Sequence, residues 1–152
     1  MRWTKESYTI DDDKASLNIE AVFGLLKTSH WANGRSIETI QHTIEHSLCF
    51  SLFCGGQQIG FVRVLTDYST YAVILDMIID EHHRGKGLGA WLMNIVTNHS
   101  MIRHTRQILW TSTAECFYRQ CGFVQLEDKP IVMVKPPFTH LEESMPSGRG
   151  AL

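Results

Sequence analysis

The chain alternates between two hydrophobic spacings, and the switches between them mark its elements. "SYTI" (7–10) alternates as a short strand does, and residues 17–28 place Leu17, Ala21 and Leu25 on one face of a helix. A second helix is predicted over 36–46, where Ile37, Ile40 and Ile44 recur at helical spacing behind Ser36, a residue suited to cap a helix N-terminus. The link between the two is "SHWANGRS". Two strand-like runs follow, "SLCFSLFC" and "QIGFVRVLT", joined through Gly55-Gly56, the composition of a tight hairpin turn. Past the polar "TDYST", residues 71–79 (YAVILDMII) are apolar on both faces except at Asp76, which suits a central strand covered on both sides. A helix is predicted from Gly87 to about Asn98, with Leu88, Trp91, Leu92, Ile95 and Val96 as its stripe. The rest reads as a strand "QILWTS" (107–112), a short helix over 114–121 stopped by Gly122, and last strands "FVQL" and "IVMV".

Pro130, Pro136 and Pro137 punctuate this end, and "THLEESMPSGRGAL" has no periodicity, so residues 1–138 are expected to form a single domain and 139–152 a flexible tail. The full 152 residues, 43% hydrophobic and 20% charged, fit one domain with a real core. A net charge of -2 without any block of Lys or Arg gives no reason to expect a nucleic-acid or membrane partner, so the basic residues must act locally. The N-terminus is polar and acidic, and no apolar stretch reaches the ~18–20 residues of a membrane span, which together point to the cytoplasm. Cys49 and Cys54, like Cys116 and Cys121, lack CxxC spacing and read as free thiols, buried or half-buried. His82 and His83, with His99 and His104 further on, read as solvated polar residues, and no metal is expected.

The stretch that carries chemistry is "ILDMIIDEHHRGKGLGAWL" (74–92), a strand, a basic glycine-rich turn and a helix start. Unpaired N–H groups and a partial positive charge make a helix N-terminus receptive to anions, and glycines let the backbone approach one closely. Arg84 and Lys86 add full charges, which matter most for a ligand with several phosphates. The nucleotide form GxxxxGK[ST] is absent because Gly87 follows Lys86, and GxGxxG fails because Gly85, Gly87 and Gly89 are spaced by two. A plain turn would leave three glycines and two cations at a helix start unexplained.

Arg84-Gly85-Lys86-Gly87-Leu88-Gly89 resembles motif A of the GNAT superfamily of N-acetyltransferases, and "AECFYRQCGF" (114–123) resembles its motif B. The order of elements agrees over roughly residues 5–135. The resemblance implies an α/β (α+β) acyl-CoA N-acyltransferase fold, a mixed, mostly antiparallel sheet with helices on both faces. It also implies acetyl-CoA as cosubstrate and a small-molecule or protein amine as acceptor, attacked directly in a ternary complex. Members commonly dimerise, so a homodimer is in view, although no surface is indicated. By the same resemblance the loop Arg84, Gly85, Lys86, Gly87, Leu88, Gly89 and Ala90 binds the pyrophosphate. Backbone groups of Met77, Ile78 and Ile79 face the thioester, and the strand splays from its neighbour at a bulge, opening a slot between 76–80 and 107–112 in which Ser112 lies.

Donors aimed at the thioester oxygen would stabilise the tetrahedral intermediate, and Tyr118 stands where the family keeps the general acid that protonates the departing thiolate. Amphipathic packing is the plainer use of such a tyrosine. No base is evident, since Val73 and Leu75 fill the inward positions. Asp76, Asp80, Glu81 or a residue of another loop remain, or no dedicated base at all, and Asp76 is singled out because a carboxylate within an apolar run needs a partner. A buried hydrogen-bonding role for it is as good a reading. Trp31 and Arg35 resemble a pattern in some small stand-alone bacterial members; by their side-chain chemistry Trp31 could stack on a substrate and Arg35 could hold a carboxylate. A packed hinge and a carbonyl cap would account for them equally. Tyr8, Asp67 and Tyr68 are weaker candidates. A covalent route through Cys116 or Cys121 lacks a sequence-adjacent histidine base. Two other classes stand beside the enzyme: a degenerate domain sensing acyl-CoA without turnover, which the missing base favours, and a non-catalytic interaction protein, which leaves the anion loop unexplained.

Overall fold

The computed structural model describes residues 1–126 and 133–135. Six strands among them form one sheet in chain order: β1 (Arg2–Lys5), β2 (Tyr8–Asp11), β3 (Leu48–Cys54), β4 (Gln57–Thr66), β5 (Tyr71–Ile79) and β6 (Arg106–Ile108). The pairs from β1 to β5 are antiparallel and β5–β6 is parallel, so the sheet is mixed and mostly antiparallel as expected. Helix α1 (Ile19–Lys27) opens on Asn18, whose side chain accepts from the Ala21 N–H, and α2 (Ile37–Glu45) opens on Ser36, which accepts from the Thr39 N–H. Each cap stops the helix a residue or two inside the sequence expectation, because the capping residue itself is extended. Helix α3 (Leu88–Thr97) and the short α4 (Glu115–Gln120) complete the order.

The sheet has a core on each face. Val22, Leu25, Leu26, Ile40 and Ile44 of α1 and α2 pack on Cys49, Phe61 and Ile78, while Leu88, Leu92, Met93, Ile95 and Val96 of α3 pack on Phe50, Leu52, Val62, Val64 and Ile79. The end of β5 therefore lies between both cores, with Ile78 directed to one and Ile79 to the other.

Several expectations need correction. Strand β1 was not foreseen; "RWTK" is too short and polar to signal a strand, and it forms by pairing with β2, helped by an Arg2–Asp11 ion pair at 2.6 Å. The strand expected over 107–112 ends at Ile108. "FVQL" forms no strand, leaving Val124 80% exposed. Of "IVMV", residues 131 and 132 lie outside the described residues, as does the tail at 139–152. Cys116 is exposed, not buried. His99 is buried at 3%, packs edge-on to Phe50 and Trp3, and pairs with Asp12 at 3.0 Å. No helix among the described residues is long and apolar enough to cross a membrane.

Candidate active site

The site is built around a defect in β5. Against β4, Arg63 pairs with Leu75 and Phe61 with Ile78, so Asp76 and Met77 together face Val62 alone. This is a β-bulge, and Asp76 bears its strain at φ 55°, a left-handed value that Asp tolerates better than most residues. On its other side β5 is paired only from Tyr71 to Val73, with Arg106 to Ile108 of β6. Beyond Val73 the strands part, and Ile74–Ile79 has no strand neighbour on that edge among the described residues. An unpaired edge presents backbone N–H and C=O groups to whatever lies beside it.

At the C-terminal end of β5 the chain turns into the glycine loop. The Asp80 N–H donates to the Ile59 carbonyl at 2.8 Å, and the Asp80 side chain accepts from the His82 N–H at 2.9 Å. Arg84 folds back to donate from Nε to the Ile79 carbonyl at 2.8 Å, pinning the loop to the strand while its guanidinium end stays exposed. Gly85 and Gly87 both sit at φ 73°, and a Cβ built on either meets nothing within 4 Å, so the requirement for glycine is conformational and the space above the loop is open. Gly87 is also the residue before α3 and offers no side-chain cap, and the first helical bond is from the Trp91 N–H to the Gly87 carbonyl. The N–H groups of Leu88, Gly89 and Ala90 are thus left pointing out of the helix end, with exposed Lys86 beside them. That arrangement fits a polyanion.

Gly89 serves another purpose. A Cβ there would stand 3.3 Å from the Phe117 ring and 3.7 Å from Ile79 Cδ1, so this glycine lets α4 lie against the start of α3 and the end of β5. The contact brings the two sequence motifs together. Tyr118, next to Phe117, is half-buried, with ring centroids 5.0 Å from Phe117 and 6.1 Å from Phe123. Burial first, and then the neighbouring Cys121, push its phenol above its ordinary value. Ser112 is exposed past the end of β6.

Asp76 is 8% exposed and does not stand alone. Its Oδ2 accepts from Arg63 Nε at 2.6 Å and from Arg35 Nη1 at 2.7 Å, so two of the expected site residues, Asp76 and Arg35, meet. Arg63 joins them unforeseen, and no short-range pattern could have found partners 13 and 41 residues away. Trp31 is 43% exposed on the segment between α1 and α2. Tyr8 packs edge-on against His83, whose Nδ1 is buried without a partner, so His83 turns inward whereas His82 is exposed. Asp67 closes the β4–β5 turn, accepting from the N–H groups of Ser69, Thr70 and Tyr71. Tyr68, 42% exposed, belongs to that same turn. His42, Glu45 and His46, exposed at the end of α2, hold donor atoms within 4.8 Å of one another. A concavity of about 540 Å³ lies between β1 and α3, lined by Trp3, Trp91 and Asn98.

Residues 45–125 match the model of the acetyltransferase (GNAT) domain, over half of the chain. The chain belongs to the GNAT acetyltransferases. Among solved structures, this GNAT domain resembles a GNAT-family protein of Xanthomonas campestris pv. campestris, 33% identical, with a TM-score of 0.75 over 79% of this chain and 86% of that one. It also resembles a GNAT acetyltransferase of Elizabethkingia anophelis, solved with acetyl-CoA bound, at 16% identity and a TM-score of 0.58 over 78% and 74% of the two chains, a likeness of fold. A Gibberella zeae protein provisionally named an acetyltransferase is 26% identical over 114 residues, 62% of this chain, and the chain spans 64% of that protein's length.

Proposed function

We propose that the protein transfers the acetyl group of acetyl-CoA to a primary amine by direct attack within a ternary complex. The observation that carries this reading is the union of an uncapped α3 N-terminus, flanked by Arg84 and Lys86, with a β5 edge that has no strand neighbour from Ile74 to Ile79 among the described residues. Acetyl-CoA, the cosubstrate usual in this family, supplies an activated thioester together with a pyrophosphate. The loop residues Arg84 to Ala90 bind the phosphates, and Gly85 and Gly87 leave room for them. Those backbone N–H groups of the Met77–Ile79 stretch that face away from β4, at the bulge and the splay, oppose charge developing on the thioester oxygen. Tyr118 keeps its proton at neutral pH, because burial disfavours the phenolate, and gives it to the departing sulfur. Asp76, with Oδ2 already shared by two guanidiniums, positions Arg35 and Arg63 and is not the base. A covalent acetyl-thiol route through Cys121 is disfavoured, since burial raises its thiol.

Release of free thiol from acetyl-CoA, followed with and without a panel of primary amines, tests the reading. Amine-dependent release with 1:1 acetylated product is expected, and none across the panel would refute transfer. Replacing Gly87 with valine tests the loop separately. A β-branched residue is strained at φ 73° and thrusts bulk into the open space, so the acetyl-CoA Kd is expected to rise at least ~10-fold in calorimetry. Unchanged affinity removes the loop assignment.

A further inference from the structure

We infer that the acceptor is an amine bearing a carboxylate, and that Arg35 receives it; this rests on the acetyltransferase reading above. Two guanidiniums, Arg35 and Arg63, share one carboxylate oxygen, Asp76 Oδ2, so the cluster carries one positive charge in excess. The arginines are not equivalent. The Arg63 side chain is 10% exposed, and its Nη1 reaches Ser47 Oγ at 3.4 Å, which makes it a structural member of the sheet face. Arg35 is 30% exposed, and among the described residues only its Nη1 is hydrogen-bonded. Its Nε and Nη2 remain for another anion. Asp76 is the one ion-pair partner of Arg35 among the described residues.

A surplus cation in a half-buried place draws an anion, because fewer waters compete and the attraction is less screened. Clamped at one nitrogen by a buried carboxylate, this guanidinium has surrendered much of its side-chain freedom before a ligand arrives, so its planar donors are set for a second carboxylate at reduced entropic cost. The location fixes the kind of molecule. Asp76 immediately precedes Met77, so Arg35 is tied to the same bulge whose backbone faces the thioester. An acceptor that reaches both carries its amine and its carboxylate on one small skeleton, as an amino acid does. Trp31, exposed on the segment that delivers Arg35, offers an apolar wall for its carbon skeleton.

Matched pairs test this on the unaltered chain: glycine against glycinamide, β-alanine against β-alaninamide, and L-lysine against cadaverine, all with saturating acetyl-CoA. The carboxylate member is expected to have a kcat/KM at least ~10-fold higher in the accepted pair, with the difference in KM. Arg35→Gln is expected to erase that preference while the acetyl-CoA Kd from calorimetry stays within about twofold. Equal or better turnover of the uncharged members overturns the inference and leaves acetyl transfer standing. If no amine releases thiol, acetyl transfer falls, and calorimetric titration of the acetyl-CoA-loaded protein with each pair decides the inference. Binding of the carboxylate members alone, lost in Arg35→Gln, sustains it, and its absence overturns it.

Discussion

An Asp76→Ala variant is expected to lose about 3–5 kcal/mol of stability, the cost of leaving a buried cation without its counter-charge. For a chain of this size that is a fall of roughly 10 °C in Tm. Arg63, at 10% exposure, would keep Ser47 as its remaining side-chain partner, and Arg35 would lose its anchor. Alanine also tolerates φ 55° less well than the aspartate it replaces. Asp76→Asn also removes the charge but keeps an acceptor oxygen for the two guanidiniums and the left-handed preference, so it is expected to lose less than alanine. The pair of variants separates two roles. A base would make the asparagine variant stable but slower by ~10²–10⁴-fold in kcat, whereas a positioning carboxylate makes the alanine variant unstable and leaves the asparagine variant with most of its turnover. Denaturant unfolding and steady-state kinetics on the same preparations decide between them, and a stable, inactive Asp76→Asn would sink the positioning role.

Tyr118→Phe is expected to lower kcat by ~10²-fold or more while the acetyl-CoA Kd holds within about twofold, since the hydroxyl acts on the leaving sulfur and not on the bound phosphates. The pH profile supplies an independent mark. Burial raises the phenol above its ordinary value of 10.0, so the proton is retained through neutral pH and lost only above pH 10. Activity that depends on that proton is present below this range and declines through it, and the variant lacks this limb. Stability follows the same sign: the contribution of the buried neutral phenol is complete below the unfolded value and disappears as pH rises through the folded one. Parallel losses of kcat and acetyl-CoA affinity would instead mean that the ring serves as packing between Phe117 and Phe123.

Elements that carry their own signal were legible in the sequence. The central strand at 71–79 needed only its apolar run, the β3–β4 hairpin its Gly55-Gly56 turn, and α2 its Ser36 cap. Strand β1 was not legible because its stability comes from partners on β2, and a four-residue run with one half-buried position has no pattern to read. The overlong reading of 107–112 has the complementary cause. "QILWTS" has strand composition throughout, yet β5 and β6 part after Ile108, and composition does not report where two strands diverge. In the site, the glycine loop could be read from residue types alone because its chemistry resides in consecutive backbone groups. The bulge at Asp76 and its two arginines could not, since they are joined only by the fold.

The contact between Gly89 and Phe117 ties the fates of two positions 28 residues apart. With 3.3 Å between the Phe117 ring and the place a methyl group would occupy, any side chain at 89 must displace the ring or be matched by a smaller residue at 117. Volume can be exchanged between the positions but not added at one. A substitution at either will therefore behave differently according to what stands at the other, and such epistasis extends to Tyr118, which Phe117 carries with it.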